Sequence, residues 1–385
     1  MSVDVVVVGA GPAGAVAATV LARAGARVRL LERAKMPRHK LCGDTLNPGA
    51  MAVLERLALD GATRGGVTIG GMRVTGAGGV VVESRYPGGL EGRAISRAHL
   101  DAALVNAAVR AGVEYVDGVS VRSAVLEQRG AADVVSGVRV GTPQGPREIR
   151  AAITIAADGR HSTLAFALGL ARHPLRPRRW AIGGYFSGAH GLSDVGEMHI
   201  RRAYYLGVAP LPGGLANVCV VKPSSEVERA LRNPAATLRA AIERDPALRD
   251  RLADAMPASE VHVLGPLAVD MVPGVPPPDG LLLAGDAWGF VDPMTGDGLR
   301  FALRGGELAA HAALRALEHG WRGVHGFLAA SRDREFSSKW RFNRALRALV
   351  GSPAGVWAAT RSARVAPGVV RALITRASDC DLAAS

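Results

Sequence analysis

A glycine-rich turn near the start of the chain has the spacing of a phosphate-binding site. Residues 9–14 read Gly-Ala-Gly-Pro-Ala-Gly, a G-x-G-x-x-G pattern. The first glycine permits the tight turn, the second lets a pyrophosphate approach the backbone, and the third allows close packing of helix on strand. Unpaired N–H groups and the positive dipole at the start of the helix attract phosphate. The pattern therefore predicts a dinucleotide at Gly9, Gly11, Pro12, Ala13 and Gly14.

The segments around this turn must form a β-strand, an α-helix and a second strand. The β-branched run from Val3 to Val8 is typical of a central parallel strand buried on both faces. An alanine-rich helix is expected from Ala13 to Ala24, and a second strand from Ala26 to Leu31. Glu32 ends that strand, where its carboxylate can accept hydrogen bonds from the adenosine ribose. This unit alone does not distinguish NAD from FAD.

Two further glycine–aspartate pairs decide the cofactor. Asp158-Gly159 follows an apolar strand at residues 153–157, and Gly285-Asp286 follows another at residues 281–284. Residues 290–299 then lead into a helix expected from about Arg300 to Leu317. An aspartate at a strand end can accept a ribityl hydroxyl, and a helix start can stabilise negative charge developing on a flavin ring. Three such motifs in this order predict FAD.

In these motifs the chain resembles the p-hydroxybenzoate hydroxylase-like superfamily of FAD-dependent oxidoreductases. Its members include group A flavin monooxygenases, halogenases and a geranylgeranyl reductase-like branch, and the resemblance covers about residues 1–320. The strand-to-helix step at residues 95–104 is similar to the family's, in which an arginine, here Arg97, reaches the FAD pyrophosphate. The resemblance implies NAD(P)H as reductant. It also implies FAD contacts at Gly9, Gly11, Pro12, Ala13, Gly14, Glu32, Arg33, Arg97, Asp158, Gly285, Asp286, Pro293, Gly296, Gly298 and Leu299.

The expected fold class is α/β, with a discontinuous Rossmann-type FAD-binding domain, an antiparallel β-sheet substrate lobe and C-terminal helices. Short β runs separated by glycines indicate the sheet. One polar helix is expected in it, from about Ser225 to Ala255. The predicted FAD-binding domain comprises residues 1–66, 98–178 and 272–335. The predicted substrate lobe comprises residues 67–97 and 179–271, and the helical tail residues 336–385.

Four residues are candidates for the substrate side: Cys42, Tyr205, Gly207 and Pro210. Cys42 lies in a P-x-x-K-x-C-G segment similar to that of geranylgeranyl reductases and could line the site, but an inert buried cysteine is the favoured interpretation because no base is adjacent to activate it. Tyr205, Gly207 and Pro210 occupy the place of the halogenase W-x-W-x-I-P signature, and both tryptophans are missing. Halogenation is therefore not expected. Gly207 and Ala209 also depart from the aromatic-x-W-x-F-P version of this signature in geranylgeranyl reductases. Gly207 either opens space above the flavin or relieves packing in its strand.

The favoured function is an NAD(P)H- and O2-dependent FAD monooxygenase acting on a hydrophobic aromatic or polyketide-type small molecule, as in secondary metabolism. The alternative is a geranylgeranyl reductase-like enzyme that reduces isoprenoid double bonds, and a third class is a non-catalytic flavoprotein. The protein's task in the favoured reaction is to hold the ring, exclude water and position the substrate. No catalytic base is predicted. His39, His161 and His199 are expected to be structural or at the surface.

The composition bears on whether the protein binds nucleic acid, a metal ion or a membrane. The formal net charge is +13, but only four of the 47 basic residues are lysine and aromatic residues make up 4%, so nucleic-acid binding is not expected. Three widely spaced cysteines support neither disulfides nor a metal site. With no apolar run long enough to cross a bilayer, a cytoplasmic protein is expected. The basic tail from Lys339 to Arg376 is either a peripheral membrane contact or a packed helix with a solvated face.

Overall fold

The computed structural model describes residues 3–76, 79–130, 132–142, 145–175, 179–202, 204–223, 232–352, 355 and 367–383. The helices in these ranges are α1 Pro12–Arg23, α2 Pro48–Arg56, α3 Arg97–Arg110, α4 Thr163–Ala167, α5 Pro234–Glu243, α6 Gly298–His319, α7 Val324–Gly351, α8 Pro367–Ala377 and α9 Cys380–Ala383. None of the helices in the described ranges has the length and apolar character needed to span a bilayer.

The strands, in chain order, are β1 Val3–Val8, β2 Val28–Leu31, β3 Thr45–Leu46, β4 Val67–Ile69, β5 Gly71–Thr75, β6 Val81–Arg85, β7 Gly92–Ala94, β8 Glu114–Val116, β9 Val121–Arg129, β10 Ala132–Thr142, β11 Gly145–Ala156, β12 Ala171–Arg172, β13 Arg179–Ser187, β14 Val195–Ile200, β15 Tyr205–Leu211, β16 Leu215–Pro223, β17 Met256–Pro257, β18 His262–Leu264, β19 Asp270–Met271 and β20 Leu281–Leu283. They form four sheets.

The first sheet carries the predicted βαβ unit. Strands β8, β2, β1 and β11 lie side by side in parallel, and β20 pairs in parallel with β11. Residues 5–8 of β1 are buried, as expected for a strand covered on both faces. Helix α1 begins at Pro12 and β2 at Val28, each within two residues of the prediction. The mixed α/β class with a Rossmann-type FAD-binding half is confirmed.

An antiparallel meander extends this sheet, which the sequence pattern did not reveal. The first half of β11 pairs with β10, and β10 pairs with β9. The second half of β11 pairs with β1 and so returns the chain to the parallel core. One long strand therefore carries Asp158 to the edge of the sheet where β1 also ends.

The second large sheet has the order β17-β13-β16-β15-β14-β5-β6, with β18 also on β13. Every pair in it is antiparallel except β14 with β5, which is parallel. The purely antiparallel prediction is wrong at this pair. Strands β5 and β14 are more than a hundred residues apart in sequence, so no hairpin turn forces them to run in opposite directions. Strands β4 and β7 instead join β3 in a small separate sheet.

The expected polar helix at 225–255 is wrong over its second half, and residues 224–231 lie outside the described residues. Helix α5 covers Pro234–Glu243, with the Asn233 side chain accepting a hydrogen bond from Ala236 N. It ends before Asp245-Pro246, because a residue that precedes proline is disfavoured in helical geometry.

The C-terminal helices pack onto the body of the molecule. Helix α7 runs without a break through residue 335, and Lys339 and Asn343 on it are buried. Helix α8 packs on β6, and α9 packs on α2. In its described residues the basic tail thus has a packed inner face, while its outer face is exposed to solvent.

Candidate functional site

The three glycine motifs meet at the carboxyl edge of the parallel strands. Gly9 has a φ of +96°, and a Cβ built on it would lie 2.5 Å from the carbonyl oxygen of Ala157. A Cβ on Gly14 would lie 1.8 Å from the carbonyl oxygen of Gly9, and one on Gly285 would lie 2.9 Å from the Cβ of Ala13. No side chain fits at these contacts. The first turn therefore abuts both Asp158-Gly159 and Gly285-Asp286, as parallel strands of one sheet require.

Gly11 is the open member of the turn. A Cβ built on it would approach only two groups, the guanidinium nitrogens of Arg38 at 3.7 Å and Arg97 at 3.8 Å. Two positive groups facing bare backbone at a helix start make a site for a diphosphate. Arg97 was expected here from its sequence context, whereas Arg38 was not.

Asp101, which is fully buried, holds both guanidinium groups in place. Its carboxylate accepts hydrogen bonds at 2.8 Å from Arg97 Nε and Nη2, and Arg38 Nη1 lies 3.0 Å from Asp101 Oδ2. Burial alone would lower the pKa of Arg97, but Asp101 outweighs it and holds that pKa above its usual range. Because Arg97 and Asp101 are four residues apart on α3, they lie on one helix face. That spacing is the signal that could have identified Asp101 from sequence.

Glu32 lies beside the turn, where the ribose of the dinucleotide was expected. Its two carboxylate oxygens accept hydrogen bonds from Ala10 N at 2.9 Å and from Ala34 N at 3.1 Å. Arg38 Nη2 lies 3.4 Å from the same carboxylate. Arg33, next in sequence, is exposed. The carboxylate is thus fixed by backbone donors and keeps accepting capacity toward the open side of the turn.

Asp158 and Arg160 each have a buried polar atom without a hydrogen-bond partner among the described residues. Asp158 Oδ2 accepts a hydrogen bond from Thr163 N at 2.8 Å, but its Oδ1 has no partner. Burial raises the pKa of Asp158. Arg160 is buried, its Nε also lacks a partner, and it lines the central cavity. Buried unpaired atoms are costly, so these two indicate a polar ligand along this edge.

A central cavity of about 1400 Å³, counted to its open mouth, lies between the two large sheets. From the expected cofactor residues its lining includes Gly11, Pro12, Ala13, Arg97, Gly285, Asp286, Gly296, Gly298 and Leu299. From the expected substrate residues its lining includes Cys42, Tyr205 and Gly207. Gly207 has nothing within 4 Å of a Cβ built on it, so that face of the cavity is open.

Some expected site residues lie elsewhere. Gly9, Gly14, Glu32, Arg33 and Asp158 are not part of the cavity lining: the two glycines belong to the turn beside it, and the other three follow the ends of β2 and β11. Pro210 is buried at the end of β15, opposite Ala216, and does not line the cavity. Pro293 begins a 3₁₀ turn that ends at Thr295, and its side chain is outside the described part of the chain.

The P-x-x-K-x-C-G segment supplies two protonated groups to the cavity. Burial lowers the pKa of Lys40 to about 8, with Arg97 acting in the same direction and Asp286 opposing it. Burial raises the pKa of the Cys42 thiol, so this sulfur keeps its proton at neutral pH. Lys40 was quoted in the motif without a role, and the structure places its side chain in the lining.

Asp44 lies behind Cys42 and was missed by the sequence reading. It is fully buried with a φ of +54°, a backbone conformation that aspartate tolerates better than most residues. Its carboxylate accepts hydrogen bonds from Asn217 Nδ2 at 2.6 Å and from Arg97 N at 3.2 Å. Burial raises its pKa to about 6. Asp44 thus ties the motif segment to β16 and to the start of α3.

A second cavity, of about 1260 Å³, adjoins the first and has a mostly apolar lining. Its walls come from β5, β6, α7 and α8, through side chains such as Val74, Val82, Leu346 and Ile374. Three methionines line both cavities: Met72, Met198 and Met294. Because methionine side chains are flexible and apolar, they form a deformable partition between the two spaces.

The residues at the carboxyl edge fit FAD. A diphosphate matches Gly11 between Arg38 and Arg97, a ribose matches Glu32, and the central cavity accommodates a ring system beside Asp286 and Gly296. Within the described residues no cluster of three or more His, Cys, Asp or Glu side chains is arranged to hold a metal ion.

Comparison with known proteins agrees with this assignment. A family model described as "FAD binding domain" matches residues 2–339. The chain is 32% identical over 323 residues to a menaquinone reductase of Mycolicibacterium smegmatis, covering 80% of this chain and 75% of the relative. It is 33% identical over 332 residues to digeranylgeranylglycerophospholipid reductase 1 of Methanopyrus kandleri, covering 83% of this chain and 82% of the relative.

A solved structure shares the fold at lower identity. It is a geranylgeranyl bacteriochlorophyll reductase-like protein from Thermoplasma acidophilum, with a TM-score of 0.77, 22% identity, and coverage of 97% of this chain and 98% of the other. With the family match spanning most of the chain and the residues expected to bind FAD gathered beside one edge of the sheet, this protein belongs to the FAD-binding-domain family and is an FAD-dependent oxidoreductase.

Proposed function

We propose that this enzyme uses FAD to reduce a carbon–carbon double bond in a polyisoprenoid chain. The observation that carries the proposal is the second, apolar cavity, which adjoins the central cavity across a boundary that includes Met72, Met198 and Met294. A compact aromatic substrate has no need of a second apolar space, whereas a long isoprenoid chain must place its remaining length away from the reacting bond. The reductase, which was the alternative expected from sequence, thereby becomes the favoured function in place of the monooxygenase.

The relatives support the same substrate class. The names of the mycobacterial and archaeal relatives, menaquinone reductase and digeranylgeranylglycerophospholipid reductase, both refer to molecules with polyprenyl groups. These two relatives carry the argument because they are 32% and 33% identical to this chain, whereas the solved reductase-like structure, at 22%, shows the fold alone.

The chain's own groups have defined tasks in such a reaction. Reduced FAD bound here would supply a hydride equivalent to one carbon of the double bond, and the other carbon must then receive a proton. Lys40 Nζ and Cys42 Sγ are protonated groups in the lining that can hold that proton. The apolar lining around Leu264, Leu267 and Val221 excludes water from the reacting bond. We propose NAD(P)H as the source of electrons.

The test is a product analysis. The purified holoenzyme is reduced anaerobically with NADH, NADPH or dithionite and mixed with geranylgeranyl and farnesyl lipids dispersed in detergent. Mass spectrometry is then used to measure gain of two hydrogens per reduced bond. We expect turnover with the prenyl lipids and none with their saturated counterparts. Reduced flavin that no prenyl lipid reoxidises would overturn the proposal.

A second candidate is the monooxygenase originally expected. The open space at Gly207 above the central cavity favours it, since a flat aromatic substrate would fit there. Its distinguishing result is NAD(P)H oxidation that needs O2, is stimulated by an aromatic ligand and yields a product with one added oxygen atom. Air is admitted to the same anaerobic preparation with and without such ligands, and the products distinguish the two functions.

A further inference from the structure

The second cavity reaches the surface beside α7 and α8. Its lining includes Leu349 of α7 and Leu373 of α8, which are 36% and 37% exposed. Val369 on α8 is 55% exposed and lies one helical turn before Leu373 on the same face of the helix. These three apolar side chains therefore lie beside one opening. Clustered exposed apolar side chains mark an interaction site more often than single ones do.

The chain around this opening is strongly basic. From Phe336 to Ala377 the sequence contains eight basic and no acidic residues. Three of the eight point inward or are neutralised. Lys339 Nζ lies 3.1 Å from Asp297 and 3.0 Å from Asp379, Arg347 donates to the carbonyl of Val291, and Arg376 pairs with Asp381.

The remaining described arginines in this segment are Arg341, Arg344 and Arg371. All three are exposed, and none has a carboxylate partner among the residues that the structure describes. Arg341, Arg344 and Ala348 are exposed and are spaced three and four residues apart. They therefore lie on one outward face of α7. Arg361 and Arg364 lie outside the described residues.

We propose that this surface, formed by the outer faces of α7 and α8 and the exposed side chains of Leu349, Val369 and Leu373, docks on an anionic lipid bilayer. The apolar side chains would enter the outer acyl region and the arginines would meet anionic headgroups. The inference rests on the proposed function in one respect: the cavity opening at this surface would receive an isoprenoid chain directly from the bilayer. Such a chain is too apolar to reach it through water. The three exposed apolar side chains disfavour nucleic acid as the partner.

The test is co-sedimentation of the full holoenzyme with vesicles that contain no prenyl lipid. We expect binding to phosphatidylcholine vesicles containing phosphatidylglycerol, weaker binding to pure phosphatidylcholine, and loss of binding at high salt. The variant Arg341→Ala/Arg344→Ala should bind the anionic vesicles roughly 30-fold more weakly, given the contribution of each basic residue near an anionic surface. Val369→Ser/Leu373→Ser should bind both vesicle types more weakly.

Arg64→Ala/Arg110→Ala is the matched control, because Arg64 and Arg110 are exposed arginines away from α7 and α8. Its vesicle binding should equal that of the wild type. Equal loss in both arginine variants, no vesicle binding at all, or arginine-dependent binding to duplex DNA in place of vesicles would overturn the proposal. A dimer in light scattering that the Val369 and Leu373 substitutions dissociate would assign the surface to a second copy instead.

Docking and catalysis can fail separately. Reduction of a short prenyl alcohol dispersed in detergent should be unchanged in Arg341→Ala/Arg344→Ala, while reduction of prenyl lipid embedded in anionic vesicles should fall. Vesicle binding without reduction of any prenyl compound refutes the proposed function and leaves docking standing. If the arginine variant reduces prenyl lipid in anionic vesicles as fast as the wild type, docking is refuted. Reduction of prenyl alcohol in detergent would still support the proposed function.

Discussion

The hydroxyl of Tyr205 donates a 2.7 Å hydrogen bond to Asp292 Oδ1. Tyr205 lies on β15 of the second large sheet, and Asp292 lies in the loop that precedes α6, so the bond joins the two halves of the central cavity. Asp292 also accepts a hydrogen bond from Met294 N at 3.0 Å, which shapes the turn leading to Gly296. The hydroxyl is therefore committed to positioning the loop.

We expect Tyr205→Phe to lower the free energy of unfolding by about 1–3 kcal/mol, because it leaves a buried carboxylate oxygen short of a donor. Retention of FAD should fall with it, since the loop at 293–298 loses its anchor. Chemical denaturation and the flavin absorbance of the purified protein measure the two effects. Tyr115→Phe is the control, because the Tyr115 hydroxyl is buried without a partner among the described residues. Equal behaviour of the two variants would contradict this role.

Gly11 and Gly14 should respond differently to substitution. Gly11→Val should keep nearly wild-type stability and lose FAD, because the added side chain meets only guanidinium ends in the protein but occupies the place of the diphosphate. Gly14→Ala should destabilise the fold itself, since its Cβ would lie 1.8 Å from the carbonyl oxygen of Gly9. Thermal unfolding of the apoprotein and flavin absorbance distinguish the two. A Gly11→Val protein that stays yellow would show that the diphosphate binds elsewhere.

Arg38→Gln should weaken FAD binding roughly tenfold to a hundredfold, the loss expected for hydrogen bonds between charged groups. Folding should hold because Arg97 still pairs with Asp101 through two hydrogen bonds. Titration of the apoprotein with FAD, followed by flavin fluorescence, gives the dissociation constant. Arg110→Gln should leave it unchanged, and the same constant for Arg38→Gln would exclude Arg38 from the diphosphate site.

Asp44 should give the protein a pH-dependent stability. Burial raises its pKa from 3.8 to about 6, so between about pH 4 and 6 the folded chain holds a proton that the unfolded chain has released. The contribution of Asp44 to stability is therefore present below pH 4 and lost as the pH rises to 6. Asp44→Asn does not titrate. Its free energy of unfolding relative to wild type should rise across this window by about 3 kcal/mol at most.

The measurement is urea unfolding of both proteins at several pH values. The constant offset from altered hydrogen bonds to Asn217 and Arg97 does not affect the comparison, because only the change with pH is used. A difference between the two proteins that does not vary from pH 4 to 6 would show that Asp44 is ionised in the fold throughout.

Lys339→Met should destabilise the protein by about 3–5 kcal/mol, because it leaves Asp297 and Asp379 buried without their shared cation. Adding Asp379→Asn should recover part of the loss by removing one carboxylate. Lys35→Met, at an exposed position, is the control and should change little. Thermal and urea unfolding measure all four proteins. No recovery in the double variant would indicate that packing, rather than charge, sets the cost.

The sequence by itself determined the cofactor half of this protein. The β1–α1–β2 unit was readable because its signals are local: a buried strand, a glycine turn and a helix follow one another in a fixed geometry. The strand ends at Asp158 and Asp286 could be expected together, because parallel strands present their carboxyl ends on one edge. The long-range register that brings Gly9 within contact of Ala157 then follows from the same rule.

Only the tertiary structure decided what surrounds that half. The contacts of Asp101 with Arg38, of Asp44 with Asn217 and of Tyr205 with Asp292 join residues from separate elements, and composition carries no signal for such contacts. The second cavity is formed by β5, β6, α7 and α8, segments far apart in sequence. The side chains that line it are ordinary apolar residues, indistinguishable in sequence from core. Folding places them around an empty space, and that placement changed the favoured function from monooxygenase to reductase.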